Sequence, residues 1–266
     1  MLSEHSRQRT VIWILTCLLL LFAQPLRAQI KTDAARKFDE FGDIEYSDKI
    51  ARLDNFAIQL MNEPATRGFI IVYRTRRDLP GLSNRYALWM KNYMMMTRGI
   101  PAERVVTVDG GVASCLMQEL WIVPVGKTPA PRQDAYNNSF VDAETARKFD
   151  EHYYALPGES DDGTTDYSDF AVNFDAFATE LRKETGSSAY LIGYAQYERD
   201  TARAVWKILR AEKNYLVKTY AIAPSRIRLV YGGYRNFRQV ELWIVPRRAD
   251  APIPTPTRRS PHRKRR

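Results

Sequence analysis

Between residues 47 and 60 the apolar positions Ile50, Leu53, Phe56, Ala57 and Leu60 recur at three- and four-residue steps, the spacing of one face of an α-helix. A short strand around Lys37–Phe41 precedes this helix, and Ser47 is its expected N-cap. The run Gly68–Tyr73 (GFIIVY) is apolar without a break and reads as a buried strand. A second helix is predicted over Ser83–Thr97, with Tyr86, Trp89, Tyr93 and Met94 along one stripe. Its Met94-Met95-Met96 run reads as core filling rather than as a soft ligand face. Strands at Arg104–Val108 and Gln118–Val123 finish the pattern, with Gly110-Gly111 between them as a turn suited to positive φ.

The whole pattern then repeats. Arg36-Lys37-Phe38-Asp39-Glu40 returns as Arg147-Lys148-Phe149-Asp150-Glu151, Tyr46-Ser47-Asp48 as Tyr167-Ser168-Asp169, and Glu119–Pro124 (ELWIVP) unchanged as Glu241–Pro246. The offset grows from 111 to 121 to 122, which places an insertion near Ala155–Asp166, a Gly-, Ser-, Thr- and Asp-rich stretch read as a surface loop. In the second copy Ser168 is the matching cap, and Phe170, Phe174, Phe177, Ala178 and Leu181 are the matching helix face. Ala189–Tyr194, Asp200–Thr219, Arg226–Val230 and Val240–Val245 are the remaining elements, with Gly232-Gly233 as the turn. The expected fold class is therefore α+β: two tandem β-α-β-α-β-β domains, each with helices packed on one face of a mixed sheet. The boundaries are 29–128 for copy one, 129–143 for a linker marked by Pro129 and Pro131, and 144–246 for copy two. Residues 247–266, rich in Pro and Arg, read as an extended, disordered tail.

Residues 1–28 have another character. Arg7 and Arg9 precede the apolar run Val11–Ala23, and Leu26-Arg27-Ala28 offers a cleavage site before Gln29, the layout of a secretory signal peptide. The alternative is a single-pass anchor, but 13 apolar residues fall short of the roughly 20 that span a bilayer. An exported protein, periplasmic or secreted, with no transmembrane segment after cleavage, is the expectation. Cys17 would leave with the signal, and Cys115 alone cannot form an internal disulfide, so it is read as a buried, inert thiol.

The net charge of +9 is unevenly placed: residues 1–28 hold +2 and 247–266 hold +7, so residues 29–246 are neutral. No nucleic-acid binding by the folded body is expected on that balance. The tail has two readings, a solubilising end or a contact to an anionic polymer.

The layout resembles the OmpA-like domain of outer-membrane proteins and flagellar motor stators, over both copies and nearly all of residues 36–246. The likeness rests on an opening Phe-rich strand before a helix (KFDEFGDI, then LDNFAIQL) and a second helix ending in Tyr. It continues in Gly99-Ile100-Pro101-Ala102, with Ile222-Ala223-Pro224 opposite, and in a Val-Glu-containing last strand. The resemblance implies binding of peptidoglycan diaminopimelate through an Asp after the central strand and an Arg in the second helix, a pairing suited to a zwitterion. Where that family has Gly-His-Thr-Asp, this chain has Gly193-Tyr194-Ala195-Gln196 and Val72-Tyr73-Arg74-Thr75; where it has the Arg, Ile208 and Tyr86 stand. Arg203, Arg210 and Arg85 lie close by as substitutes. Copy two retains Gly193, so Gln196, Arg203 and Arg210 are the candidate ligand-binding residues.

Other chemistry is sparse. His152 has no Cys neighbours for a metal, the acidic insert (Glu159, Asp161, Asp162, Asp166, Asp169) misses calcium-loop spacing, and no nucleophile or phosphate-binding motif occurs. No catalytic residue, metal or cofactor is expected. Glu119 and Glu241 read either as solvent-facing strand positions or as salt-bridged to Arg238 or a strand neighbour. The expected function is a non-enzymatic cell-envelope binding or scaffolding protein, with peptidoglycan or an envelope protein as partner; the alternative is a subunit of a larger envelope or secreted assembly.

Overall fold

The computed structural model describes residues 34–130, 132, 134–136, 144–153 and 167–259, with the backbone alone over 167–173. The expected signal peptide and the insert near 155–166 lie outside the described residues. What is described falls within one compact unit beginning at Ala34.

Copy one runs β1 (Arg36–Phe41), α1 (Tyr46–Asn62), β2 (Thr66–Arg74), α2 (Leu82–Asn92), β3 (Val105–Val112) and β4 (Met117–Pro124). Copy two runs β5 (Arg147–Tyr153), α3 (Tyr167–Lys183), β6 (Ser188–Gln196), α4 (Ala202–Tyr220), β7 (Ile227–Arg235) and β8 (Gln239–Val245). The two four-stranded sheets have the same order, β1-β4-β2-β3 and β5-β8-β6-β7. In each, the last strand lies antiparallel to both neighbours, and the central strand is parallel to the strand after the second helix. A crossover helix is the usual link between parallel strands, and α2 and α4 supply it.

Helix periodicity puts Leu53, Phe56, Ala57 and Leu60 of α1 in the core, with Ile70, Val72, Leu120 and Ile122 contributed by alternate strand positions. Copy two repeats this with Phe174, Phe177, Ala178 and Leu181 against Leu191, Leu242 and Ile244. The same arginine closes the first helix in both copies. Arg104 donates to Leu60 O (2.7 Å), Glu63 O (2.9 Å) and Thr66 O (3.0 Å), and Arg226 to Leu181 O (2.6 Å), Glu184 O (2.8 Å) and Ser187 O (2.8 Å). In each copy the first two carbonyls lie at the end of the helix and the third at the entry to the central strand, so the arginine pins the turn between them.

Four expectations are corrected. The N-cap of α1 is Glu45, with no side-chain capping bond, and Ser47 lies inside the first turn. The second helix of copy one ends in a π turn over Tyr93–Thr97, which leaves Met94 buried and Met96 80% exposed. The Gly pairs make no turn: Gly110 and Gly232 are bulges within β3 and β7, where Tyr73 and Tyr194 lie over them and an added Cβ would stand 2.4 Å from either ring. Cys115 is exposed in the β3–β4 connection, beyond the strand that was expected to bury it.

The described part of the tail expected to be disordered, residues 247–259, packs on copy two. Tyr234 O accepts hydrogen bonds from Thr257 N and Arg258 N, both at 3.0 Å, and Tyr234 bridges Arg258. The segment after β4 does the same to copy one, where Val112 and Tyr136 exchange backbone bonds of 2.9 and 3.1 Å. Val112 and Tyr234, and Tyr136 and Arg258, are each 122 residues apart. The repeated unit therefore includes a strap along the edge strand, which the linker and tail readings had left out.

Candidate functional site

Along β4 and β8 alternate side chains face away from the helices, and there Glu119 and Glu241 are 0% and 3% exposed. Glu119 accepts from Lys37 Nζ (2.8 Å), Trp121 Nε1 (2.9 Å), Tyr73 Oη (3.2 Å) and Arg132 Nη1 (3.4 Å). Glu241 accepts from Arg235 Nη2 (2.9 Å), Trp243 Nε1 (3.0 Å), Tyr194 Oη (3.2 Å) and Lys148 Nζ (3.3 Å). The solvent-facing reading is thereby corrected, and the salt bridge to a strand neighbour is observed at Lys37 of β1 and Lys148 of β5; Arg238 instead grips Asp200 at the β6–α4 turn.

The strap-side cation reaches each cluster by a different route. Arg132 comes from the strap, 5.6 Å over Tyr73, whereas Arg235 comes from β7, 3.5 Å over Tyr194. At the exchanged positions copy one has Ala113 and copy two has Pro254. Arg235 also holds Thr255 O (3.2 Å) and Thr255 Oγ1 (2.7 Å), and Thr255 N donates to Tyr194 Oη at 3.1 Å. Burial pushes the Tyr73 hydroxyl up to about 12, with the Glu119 charge adding to it. Both carboxylates are occupied by the chain's own donors, so these clusters tie strap to sheet and offer no acid or base to a substrate.

A third cluster joins the copies. Gly81 N donates to Phe149 O at 2.9 Å, and Arg85 Nη2 lies 3.3 Å from Asp150 Oδ1. A Cβ at Gly81 would meet Asp150 at 2.8 Å. In copy one the equivalent Asp39 pairs with Arg52 of its own helix, with both oxygens at 2.7 Å. Burial raises the Asp150 pKa, opposed by the Arg85 charge. A carboxyl with a raised folded pKa contributes stability in full below the ordinary value near 3.8 and loses it as pH rises through the folded value. Arg85→Ala leaves that carboxylate buried without its cation and is expected to cost about 3 kcal/mol at pH 7. The deficit relative to wild type should shrink from pH 7 toward pH 4, as the carboxyl takes up its proton. Thermal unfolding at both pH values checks this, and an equal deficit at each would refute it.

The candidate residues from sequence stand in copy two at the end of β6 and on α4. Gln196 N donates to Asp200 Oδ2 at 2.8 Å, which shapes the turn into α4. Arg203 and Arg210 are exposed, and among the described residues neither is hydrogen-bonded to the other or to Gln196. They are joined instead by Lys207 and Lys218. At 100° per residue these four cations fall within an arc of about 80° and span about 22 Å of helix. Arg210 stacks 6.0 Å over Trp206, and among the described residues none of the four has an acid within ion-pair distance. The buried positions Ser83, Ala87, Met90 and Met94 match Val205, Leu209, Glu212 and Leu216 at one offset of 122, which fixes the correspondence of α2 and α4. On that register Arg203 and Lys207 occupy the places of Gly81 and Arg85. The face by which copy one holds copy two is, on α4, exposed and basic.

No family model matches the chain, and no curated protein matches it.

Among the described residues there is no group of three His, Cys, Asp or Glu side chains able to hold a metal, and no helix long and apolar enough to cross a membrane. One polar pair escaped the sequence reading: His152 Nε2 lies 2.8 Å from Glu212 Oε1, inside the core of copy two. At the same places copy one has Phe41 and Met90, both buried. The signal was present, since Glu212 interrupts the apolar face formed by Val205, Leu209 and Leu216.

Proposed function

We propose that this protein is a non-catalytic binding and scaffolding protein of the cell envelope, in which copy one braces copy two and α4 of copy two presents a cationic face to an anionic cell-wall polymer. The observation that carries this reading is the row Arg203, Lys207, Arg210 and Lys218, exposed along one helix in a body whose total charge is zero, so that cation is concentrated on this face. An unpaired row of this kind favours a ligand with repeated negative charge. The resemblance to OmpA-like domains supports peptidoglycan as that polymer, through exposed guanidiniums in place of the family's converging Asp and Arg.

The test is sedimentation of the purified chain with sacculi. Wild type should co-sediment at low salt and be released near 0.5 M salt, where screening falls below about 5 Å. Arg203→Gln, Lys207→Gln and Arg210→Gln combined should reduce the bound fraction at least tenfold. A wild type that stays in the supernatant, or a triple variant that binds equally, overturns the reading.

A second reading, a subunit of a larger envelope assembly, is favoured by the exposed Ile58, Met61 and Met96 of copy one. In-cell cross-linking that returns only monomer would count against it.

A further inference from the structure

We infer that copy two carries a second ligand site, a groove between β7 and the tail strap that binds an acidic sugar unit of a glycan. The inference rests on the reading of copy two as the ligand-bearing half and names the ligand chemistry.

The groove has a volume of about 450 Å³, within the usual range for small-ligand sites, and is lined by Tyr231, Tyr234, Pro256, Arg258 and Arg259. Its aromatic wall is rigid: Tyr231 and Tyr197 both meet Tyr234 edge to face, with centroids 6.2 and 6.3 Å apart and planes 90° and 85° from parallel. The strap closes the other side, held by the two bonds to Tyr234 O and by Arg235 on Thr255. Arg258 donates to Asn236 Oδ1 at 2.7 Å, which orients its guanidinium, while Arg259 makes no described contact. The Tyr231 hydroxyl is buried beside that of Tyr234, so the two hydroxyls form the polar part of this wall. Apolar ring and proline surface suits the C–H face of a sugar, and a guanidinium suits its carboxylate.

Copy one lacks these features. At the positions of Tyr231, Tyr234, Pro256 and Arg258 it has Asp109, Val112, Asp134 and Tyr136, so the same place carries two acids and no tyrosine pair. The groove thus belongs to one copy of a repeated frame, with the other as an internal control. A nucleic-acid strand is the less suitable occupant. It bears a phosphate at every nucleotide and is bound along an extended basic track, whereas this groove is lined by two guanidiniums, Arg258 and Arg259.

The experiment titrates the full chain with hyaluronan tetrasaccharide, a neutral cello-tetraose and a dT4 oligonucleotide, followed by calorimetry and by NMR of labelled tyrosines and arginines. Binding of the acidic sugar, with shifts at Tyr231, Tyr234 and Arg259, is expected. Arg259→Ala, which removes an exposed side chain with no described contact, and Tyr231→Phe should each weaken it fivefold or more. The combined α4 glutamine variant should bind the tetrasaccharide as wild type does while losing sacculi. If dT4 binds as tightly, if cello-tetraose does, or if neither groove variant weakens binding, the inference fails. Loss of sacculus binding in the α4 variant alone would then leave the proposed function standing.

Discussion

Glu241→Ala is expected to lower the stability of the protein by about 3 kcal/mol, because it takes the carboxylate from the half-buried Arg235 and leaves a buried tyrosine hydroxyl and an indole N–H without their acceptor. In wild type, burial pushes the Glu241 carboxyl up. The hydrogen bond from Trp243, the charge of Lys148 and the contact with Arg235 outweigh this and hold it below the ordinary value near 4.5. For a carboxyl with a depressed folded pKa, the stabilisation is complete above the unfolded value and is lost as pH falls through the folded one. Wild type should therefore soften below about pH 4.5, and Glu241→Gln, which keeps an acceptor but cannot titrate, should soften less over that range. Thermal unfolding between pH 7 and pH 3 measures both effects. A Glu241→Ala deficit under 1 kcal/mol would show that strap and sheet hold without the carboxylate. Because Arg235 also holds Thr255, the same variant should raise hydrogen exchange at Thr255 and Thr257, a local readout separate from global stability.

The second large effect lies in the core of copy two. Glu212→Met and His152→Phe each remove one partner of a buried pair, and each should cost about 3 kcal/mol. The double variant rebuilds the apolar pair that copy one carries as Phe41 and Met90, and it should return to within about 1 kcal/mol of wild type. The double-mutant cycle therefore predicts strong non-additivity, and simple addition of the two losses would sink the account. Such a pair adds little net stability over an apolar one, but it makes a core that accepts only its own partner surface. Copies built on one frame face the risk of exchanging elements, and a polar pair in one core alone discriminates between them.

The asymmetry of the junction follows from single positions. Gly81 permits α2 to approach β5 because a side chain there would overlap Asp150. Arg203 occupies the matching place on α4, where a long side chain stands in place of the glycine. The α4 face carries exposed cations at the places where α2 carries the junction.

Local pattern carried much of this to the reader of the sequence. The repeat, the order of the elements, the core faces of α1 and α3 and the buried central strands follow from periods of 3.6 and 2, which act between neighbours in the chain. Arg203 and Arg210 were legible as candidates, though as members of a helical row and not as a cluster with Gln196. For Glu119 and Glu241 the sequence left two readings open, and the salt bridge to a strand neighbour is the one observed; alternation identifies the face of a strand, not what covers that face. The cover is a strap that begins after the strand ends, and its proline and arginine content gave no apolar signal. Cys115 was misjudged for the related reason that apolar Leu116 and Met117 follow it but its place is a surface connection.

What the sequence alone determined is the duplication, the fold class and the neutral balance of the folded body, since these depend on composition and short-range spacing. Only the tertiary structure decided which charges are buried and which are presented. Lys37 and Glu119 are 82 residues apart and His152 and Glu212 are 60, and no local rule ranks such partners. Desolvation is set by what three-dimensional packing brings over a group. It turned two strand glutamates into fasteners and left the arginines of α4 in solvent, available for a ligand.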